Sequence, residues 1–120
     1  MNAINYEERS KVYDQALNTF GASAQLVKAI EELSEAQKEI CRALLGEKDR
    51  EHLADEVADA TIMLEQVRRI FGINDLVCDH MDAKITRLKR RIRKARANQD
   101  PPFTADEIRA RLARYAERHG

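Results

Sequence analysis

Two pairs of carboxylates raise the first chemical question. Glu32 and Glu35 stand in EELSE, residues 31–35, and Glu56 and Asp59 stand in EVAD, residues 56–59; both segments interrupt otherwise regular apolar stretches. Spaced i and i+3 on a helix, the two acids of each pair share a face and repel one another. Setting Glu56 to zero at about 100° per residue puts Asp59, Met63 and Ile70 on one side of the third helix, so apolar residues bracket the acids and predict their partial burial. Partly buried acids need a neutralising partner, and a divalent cation is the simplest one. Four oxygen donors with no His or Cys in either motif favour Mg²⁺ or Mn²⁺ over zinc. A ferritin-like di-iron site would need Glu-x-x-His on two helices, and Asp49-x-x-His52 is the only approach to it. Taken singly, either segment reads as an acidic patch on a surface helix.

The elements that must hold these acids are helical. Trp is absent, Gly and Pro total six residues, and Ala, Leu, Glu, Lys and Arg dominate. Gly21, Gly46, Gly72 and the stretch Asn98, Asp100, Pro101 and Pro102 mark the joints, cutting the chain into five predicted helices over about 5–19, 22–45, 50–71, 75–97 and 104–118. Asp49 and Asn74 are the expected caps of the third and fourth helices, and Thr104 with Glu107 makes a capping box for the fifth. Leu26, Ile30, Leu33, Ile40 and Leu44 form one stripe; Leu53, Val57, Ala60, Leu64, Val67 and Phe71 form the next. Beside Glu32 stand Gln25, Ala29, Ala36 and Ala43, a small-residue face suited to close helix approach. The expected organisation is a helical domain over 1–97, then a linker and a peripheral helix over 98–120.

The 120-residue chain has 21 basic and 21 acidic side chains, a balance that conceals segregation. Residues 1–83 carry 9 basic and 17 acidic side chains, whereas residues 84–97 carry 8 basic and none acidic, so an acidic body is joined to a basic band. The absence of an 18-residue apolar run or a signal-like N-terminus predicts a cytoplasmic protein with no membrane role. Cys41 and Cys78 form no CxxC pair and read as buried free thiols. His52, His80 and His119 lack metal-ligand spacing and read as structural or exposed, and Tyr6, Tyr13, Phe20 and Phe71 read as core residues.

Taken together, Glu31-Glu32-Leu33-Ser34-Glu35, a 20-residue spacer and Glu56-Val57-Ala58-Asp59 resemble the EExxE and ExxD motifs of the MazG-like all-α nucleoside triphosphate pyrophosphohydrolases. The resemblance extends over about residues 12–93 and includes QLVKAIEELSEAQKEICR and HLADEVADATIMLEQVRRIFG. It implies an all-α, four-helix-bundle-like fold with an extra short C-terminal helix, assembled as a homodimer or homotetramer, with Ile62 at a subunit contact. It implies Mg²⁺, with Mn²⁺ as a substitute, on Glu32, Glu35, Glu56 and Asp59, with Glu31 as a supporting acid. The implied reaction cleaves a nucleoside triphosphate between the α and β phosphates, releasing the monophosphate and pyrophosphate. Glu35 is the preferred residue for orienting or deprotonating water. Lys84, Arg87 and Arg91 share a helix face and occupy the region that holds the phosphate tail in the family, although the family's following Asn and its RYP ending have no counterpart here. The rival expectation is a non-enzymatic binding or oligomerisation module whose basic helix, 84–96, contacts nucleic acid.

Overall fold

The computed structural model describes residues 3–47, 49–99 and 101–119, with the side chain of His119 left aside; Asp100 of the expected fourth joint thus lies outside the described residues. The described residues form five α-helices and no strand: α1 Tyr6–Phe20, α2 Ala22–Leu44, α3 Arg50–Ile70, α4 Asn74–Asn98 and α5 Ala105–His119. All five agree with the sequence reading to within a residue or two. Their starts have local causes. Asn5 Oδ1 accepts the Glu8 amide at 2.8 Å, Asp49 Oδ1 accepts the His52 amide at 3.0 Å, and Thr104 Oγ1 accepts the Glu107 amide at 3.2 Å. Asn74 is the first residue of α4 and not its cap; the first turn closes from the Val77 amide to the Ile73 carbonyl. Between α1 and α2 stands a single residue, Gly21, whose φ of 87° lies in the region that favours glycine.

The chain divides into two compact units, residues 1–79 and 80–120. In the first, α2 and α3 pack against each other, with α1 set against both. The pair is antiparallel, because partner numbers run in opposite directions: Gln25 meets Gln66, while further along Glu39 meets His52. The seam between them is the small-residue face: Gln25, Ala29, Ala36 and Glu39 of α2 and Ala60, Met63 and Gln66 of α3 are its buried residues. Alanine at the contact lets the two backbones approach closely, and Gln25 Nε2 donates to Gln66 Oε1 at 2.6 Å inside it. On the other side, Tyr13 of α1 is buried and its hydroxyl donates to Glu65. Desolvation, with Glu65 adding to it, pushes the Tyr13 pKa up to about 12. Arg69 grips Asp14 of α1 through two hydrogen bonds at 2.5 and 2.8 Å.

The large apolar stripes lie elsewhere. Ile30, Ile40 and Leu44 of α2, Val57 and Leu64 of α3 and Phe71 at the C-terminal cap of α3 are all exposed in the single chain. On each helix the stripe is turned about a quarter turn from the buried row, in the same sense along its own chain. Since the helices are antiparallel, equal turns bring both stripes to the same flank of the pair. Three of the four aromatic residues expected in the core are exposed as well, Tyr6, Phe20 and Phe71, and only Tyr13 is buried. Cys41 and Cys78 are free, as expected, but Cys41 is half-buried and Cys78 exposed, because neither faces the α2–α3 seam.

In the second unit, every residue from His80 to Lys94 is exposed, and Ile108 and Leu112 of α5 are half-buried. Among the described residues, no helix is long and apolar enough to cross a membrane.

Candidate metal centre

The antiparallel register decides which acids meet. Continuing from Gln25 opposite Gln66 towards Glu39 opposite His52 places Glu32 level with Asp59 and Glu35 level with Glu56, so the two pairs face one another across the seam. Their ligand atoms bear this out for three of the four: a carboxylate oxygen from each of Glu32, Glu56 and Asp59 lies within 4.8 Å of the other two. These three residues are half-buried, whereas Glu35 is exposed and stands outside the group. Glu35 remains near enough for its charge to act on Glu56. Glu31 is exposed and its charge reaches Lys28.

The electrostatics are those of crowded acids. Glu56 is held above the ordinary carboxylate range mainly by desolvation, and the charges of Glu32, Asp59 and Glu35 push it the same way against the pull of His52. Asp59 is likewise raised, first by desolvation and then by Glu32, Asp55 and a hydrogen bond with Glu32. Among the described residues, the close cation on the α2 side is Lys28, whose Nζ lies 3.0 Å from Glu32 and whose own pKa is raised by that hydrogen bond. One lysine at the edge leaves a cluster of three acids short of positive charge.

A divalent ion fits this arrangement on a specific observation: Glu56 Oε2 is buried and has no hydrogen-bond partner. An orphaned, desolvated carboxylate oxygen costs free energy unless a cation or a proton satisfies it. With oxygen donors alone, Glu32, Glu56 and Asp59 would hold a hard ion, Mg²⁺ or Mn²⁺.

Several neighbours escaped the sequence reading. Glu39, only 6% exposed, lies 3.2 Å from His52 Nε2 and 3.3 Å from the Arg42 guanidinium. His52 also lies 3.9 Å from Glu56 Oε1, and His52, Asp55 and Glu56 again bring three potential ligand atoms within 4.8 Å. The signal was present as a row on one helix: His52, Asp55, Glu56 and Asp59 fall at i, i+3, i+4 and i+7. Lys84, Arg87 and Arg91 lie on the exposed part of α4, in the second unit.

The fold and the site together define an all-α protein whose central helical hairpin carries a partly buried carboxylate cluster. Comparison with family models, with curated proteins and with solved structures gave no match to this chain.

Proposed function

We propose that the protein hydrolyses a nucleoside triphosphate, ribo or deoxyribo, between its α and β phosphates in a Mg²⁺-dependent reaction that yields the monophosphate and pyrophosphate. The observation that carries this reading is the meeting of Glu32, Glu56 and Asp59 across the α2–α3 seam, with one buried oxygen unsatisfied. A bound divalent ion would neutralise these acids and the triphosphate together and polarise the phosphorus–oxygen bonds to be broken. Around it, the chain's own residues have distinct tasks. Glu32, Glu56 and Asp59 would hold the ion, and the desolvation and mutual repulsion that raise the pKa values of Glu56 and Asp59 would favour its binding. Glu35, exposed and outside the three-acid group, faces water and would orient or deprotonate the attacking molecule. The resemblance assigns the phosphate tail to Lys84, Arg87 and Arg91, whose side chains are exposed within the second unit.

The same reading includes self-association into a homodimer or homotetramer. Ile30, Ile40 and Leu44 of α2 and Val57 and Leu64 of α3 are exposed in the single chain, and apolar faces of this kind are what obligate subunit interfaces bury. The paired stripes of α2 and α3 make one apolar face, and its self-complementary partner is the same face of a second copy. The acids lie in and beside the seam, outside the exposed stripes, so pairing through the apolar face would leave them open to substrate.

The deciding experiment is pyrophosphate release from the eight common ribo- and deoxyribonucleoside triphosphates with Mg²⁺, with Mn²⁺ and with EDTA. Metal-dependent release is expected, and silence across the panel overturns the assignment. A second reading rests on α4: its eight basic side chains from Lys84 to Arg96 are exposed and, among the described residues, form no ion pair. If duplex DNA or RNA is bound with steep salt dependence and no nucleotide is turned over, that helix is a nucleic-acid contact and the protein a binding module.

A further inference from the structure

We propose that α4 pairs antiparallel with α4 of a second copy, in a register that sets Ile85 against the partner's Leu88 and Lys84 beside the partner's Arg91. The inference rests on the self-association in the reading above and gives it a second contact, one that brings cations of two copies to the phosphate tail.

The seam is written in α4 at alternating spacings of three and four. Cys78, Met81, Ile85, Leu88, Ile92 and Ala95 are successive core positions of a heptad repeat, the pattern by which helices pair knobs into holes. Cys78, Met81, Ile85, Leu88 and Ile92 are exposed, and Ala95 is half-buried. Within residues 80–120, α5 does not pack on α4, so the stripe is left uncovered by the other helix of its own unit.

The residues beside the seam choose its partner and its direction. Lys84 and Arg91 border it on one side, and Asp75, Asp82, Lys89 and Arg96 on the other. In a parallel pair the two sides meet, which sets Lys84 against the partner's Lys89 and Arg91 against the partner's Arg96, like charges in both cases. Reversing one helix makes each side meet itself. The core layers are then Ile85 with the partner's Leu88, Met81 with the partner's Ile92 and Cys78 with the partner's Ala95. On the second side Asp82 meets the partner's Lys89 and Asp75 meets the partner's Arg96, and two-fold symmetry makes every contact twice. Opposite charges thus replace like ones. A polyanion laid on the basic residues would leave the apolar stripe in water, whereas a second α4 covers it.

On the remaining side, Lys84 stands beside the partner's Arg91. Two cations there call for an anion, and the phosphate tail of the proposed substrate supplies one. The contact spans about two and a half heptads and includes that like-charged side. It therefore forms between copies already held by their hairpin faces, where linkage raises the effective concentration.

The experiment is oxidative cross-linking of the full chain in a Cys41→Ser background. With Ala95→Cys, a disulfide is expected between Cys78 of one copy and position 95 of the other. Within one helix those positions are about 26 Å apart, too far for a disulfide inside a single chain. Without Ala95→Cys no cross-link is expected, because the antiparallel register separates the two Cys78 thiols by the same length. Inorganic pyrophosphate should speed the cross-link severalfold over sodium chloride of equal ionic strength, and Lys84→Gln with Arg91→Gln should abolish that difference. A cross-link through Cys78 alone marks a parallel pair and overturns the proposal. So does the absence of any cross-link, whether duplex DNA, anionic vesicles or neither then binds α4. Equal rates in pyrophosphate and sodium chloride overturn the shared anion site. Light scattering on the same preparations separates the inference from the reading it rests on. An oligomer without the cross-link sinks the α4 pair and spares self-association, whereas a cross-link that persists in Ile30→Asp with Leu64→Asp keeps the α4 pair and removes the hairpin face.

Discussion

Gln25 and Gln66 meet at 2.6 Å inside the α2–α3 seam, the one side chain-to-side chain hydrogen bond between two buried amides among the described residues. This bond fixes the register that sets Glu32 against Asp59. Gln66→Ala should cost about 1–3 kcal/mol, because it leaves the Gln25 amide buried and unpartnered. The double variant Gln25→Leu with Gln66→Leu should recover most of that loss. Urea denaturation at one fixed protein concentration checks both.

The alanines of the seam set the distance between the two acid pairs. Ala36 is 7% exposed, and Ala36→Leu should destabilise the hairpin by about 1–3 kcal/mol through overpacking. It should also weaken Mn²⁺ binding by spreading the carboxylates, whereas Ala54→Leu, at an exposed position of α3, should change neither. Denaturation and metal titration on the three proteins measure the difference.

Glu56 and Asp59 are both raised above the ordinary carboxylate range, so the folded chain binds protons at these sites more tightly than the unfolded chain does. Their contribution to stability is fully present below the unfolded carboxylate pKa and is lost as pH rises through the raised folded values. The metal-free protein should therefore melt at higher temperature as pH is lowered through the raised folded values towards the ordinary carboxylate range, and Glu56→Gln with Asp59→Asn should flatten that slope. Saturating Mg²⁺ should raise the melting temperature most at the alkaline end. Calorimetric scans of both proteins, with EDTA and with Mg²⁺, test the sign.

Glu35→Gln should lower pyrophosphate release by about 10²–10⁴-fold, the range expected for loss of a general base, while leaving most of the metal affinity intact. Asp59→Asn should lose metal binding and release together. Equal metal affinity and equal turnover in both variants would remove these residues from the site.

For the apolar flank, Ile30→Asp combined with Leu64→Asp should give a monomer by light scattering where the wild type is larger. An unchanged mass would move the subunit contact elsewhere.

The helices were legible in the chain because their causes are local: caps at Asp49 and Thr104, breakers at Gly21 and Gly72, and a strong 3.6-residue period between them. The carboxylate face was legible for the same reason, since i and i+3 spacing beside small residues puts Glu32 on a contact surface. The use of the large apolar stripes was not. Periodicity shows that Ile30 and Leu64 share faces with other apolar residues, yet it carries no sign of whether the covering surface comes from the same chain or another one. Buried tyrosines fail in the same way: Tyr13 is distinguished from Tyr6 by Glu65, which lies 52 positions along the chain from its partner. The pairing of Glu39 with His52 likewise depends on the antiparallel register, a long-range fact set by Gln25 and Gln66.

The hairpin formed by α2 and α3 keeps its acids in and beside the seam and its bare aliphatic side chains on a flank of their own. On the function proposed above, changes that tune how copies recognise one another would accumulate on the aliphatic flank without touching a carboxylate. The chemistry of the acids would drift towards a new substrate without loosening that assembly. The alanine seam is the common constraint, and it is where a single methylene should be felt by both at once.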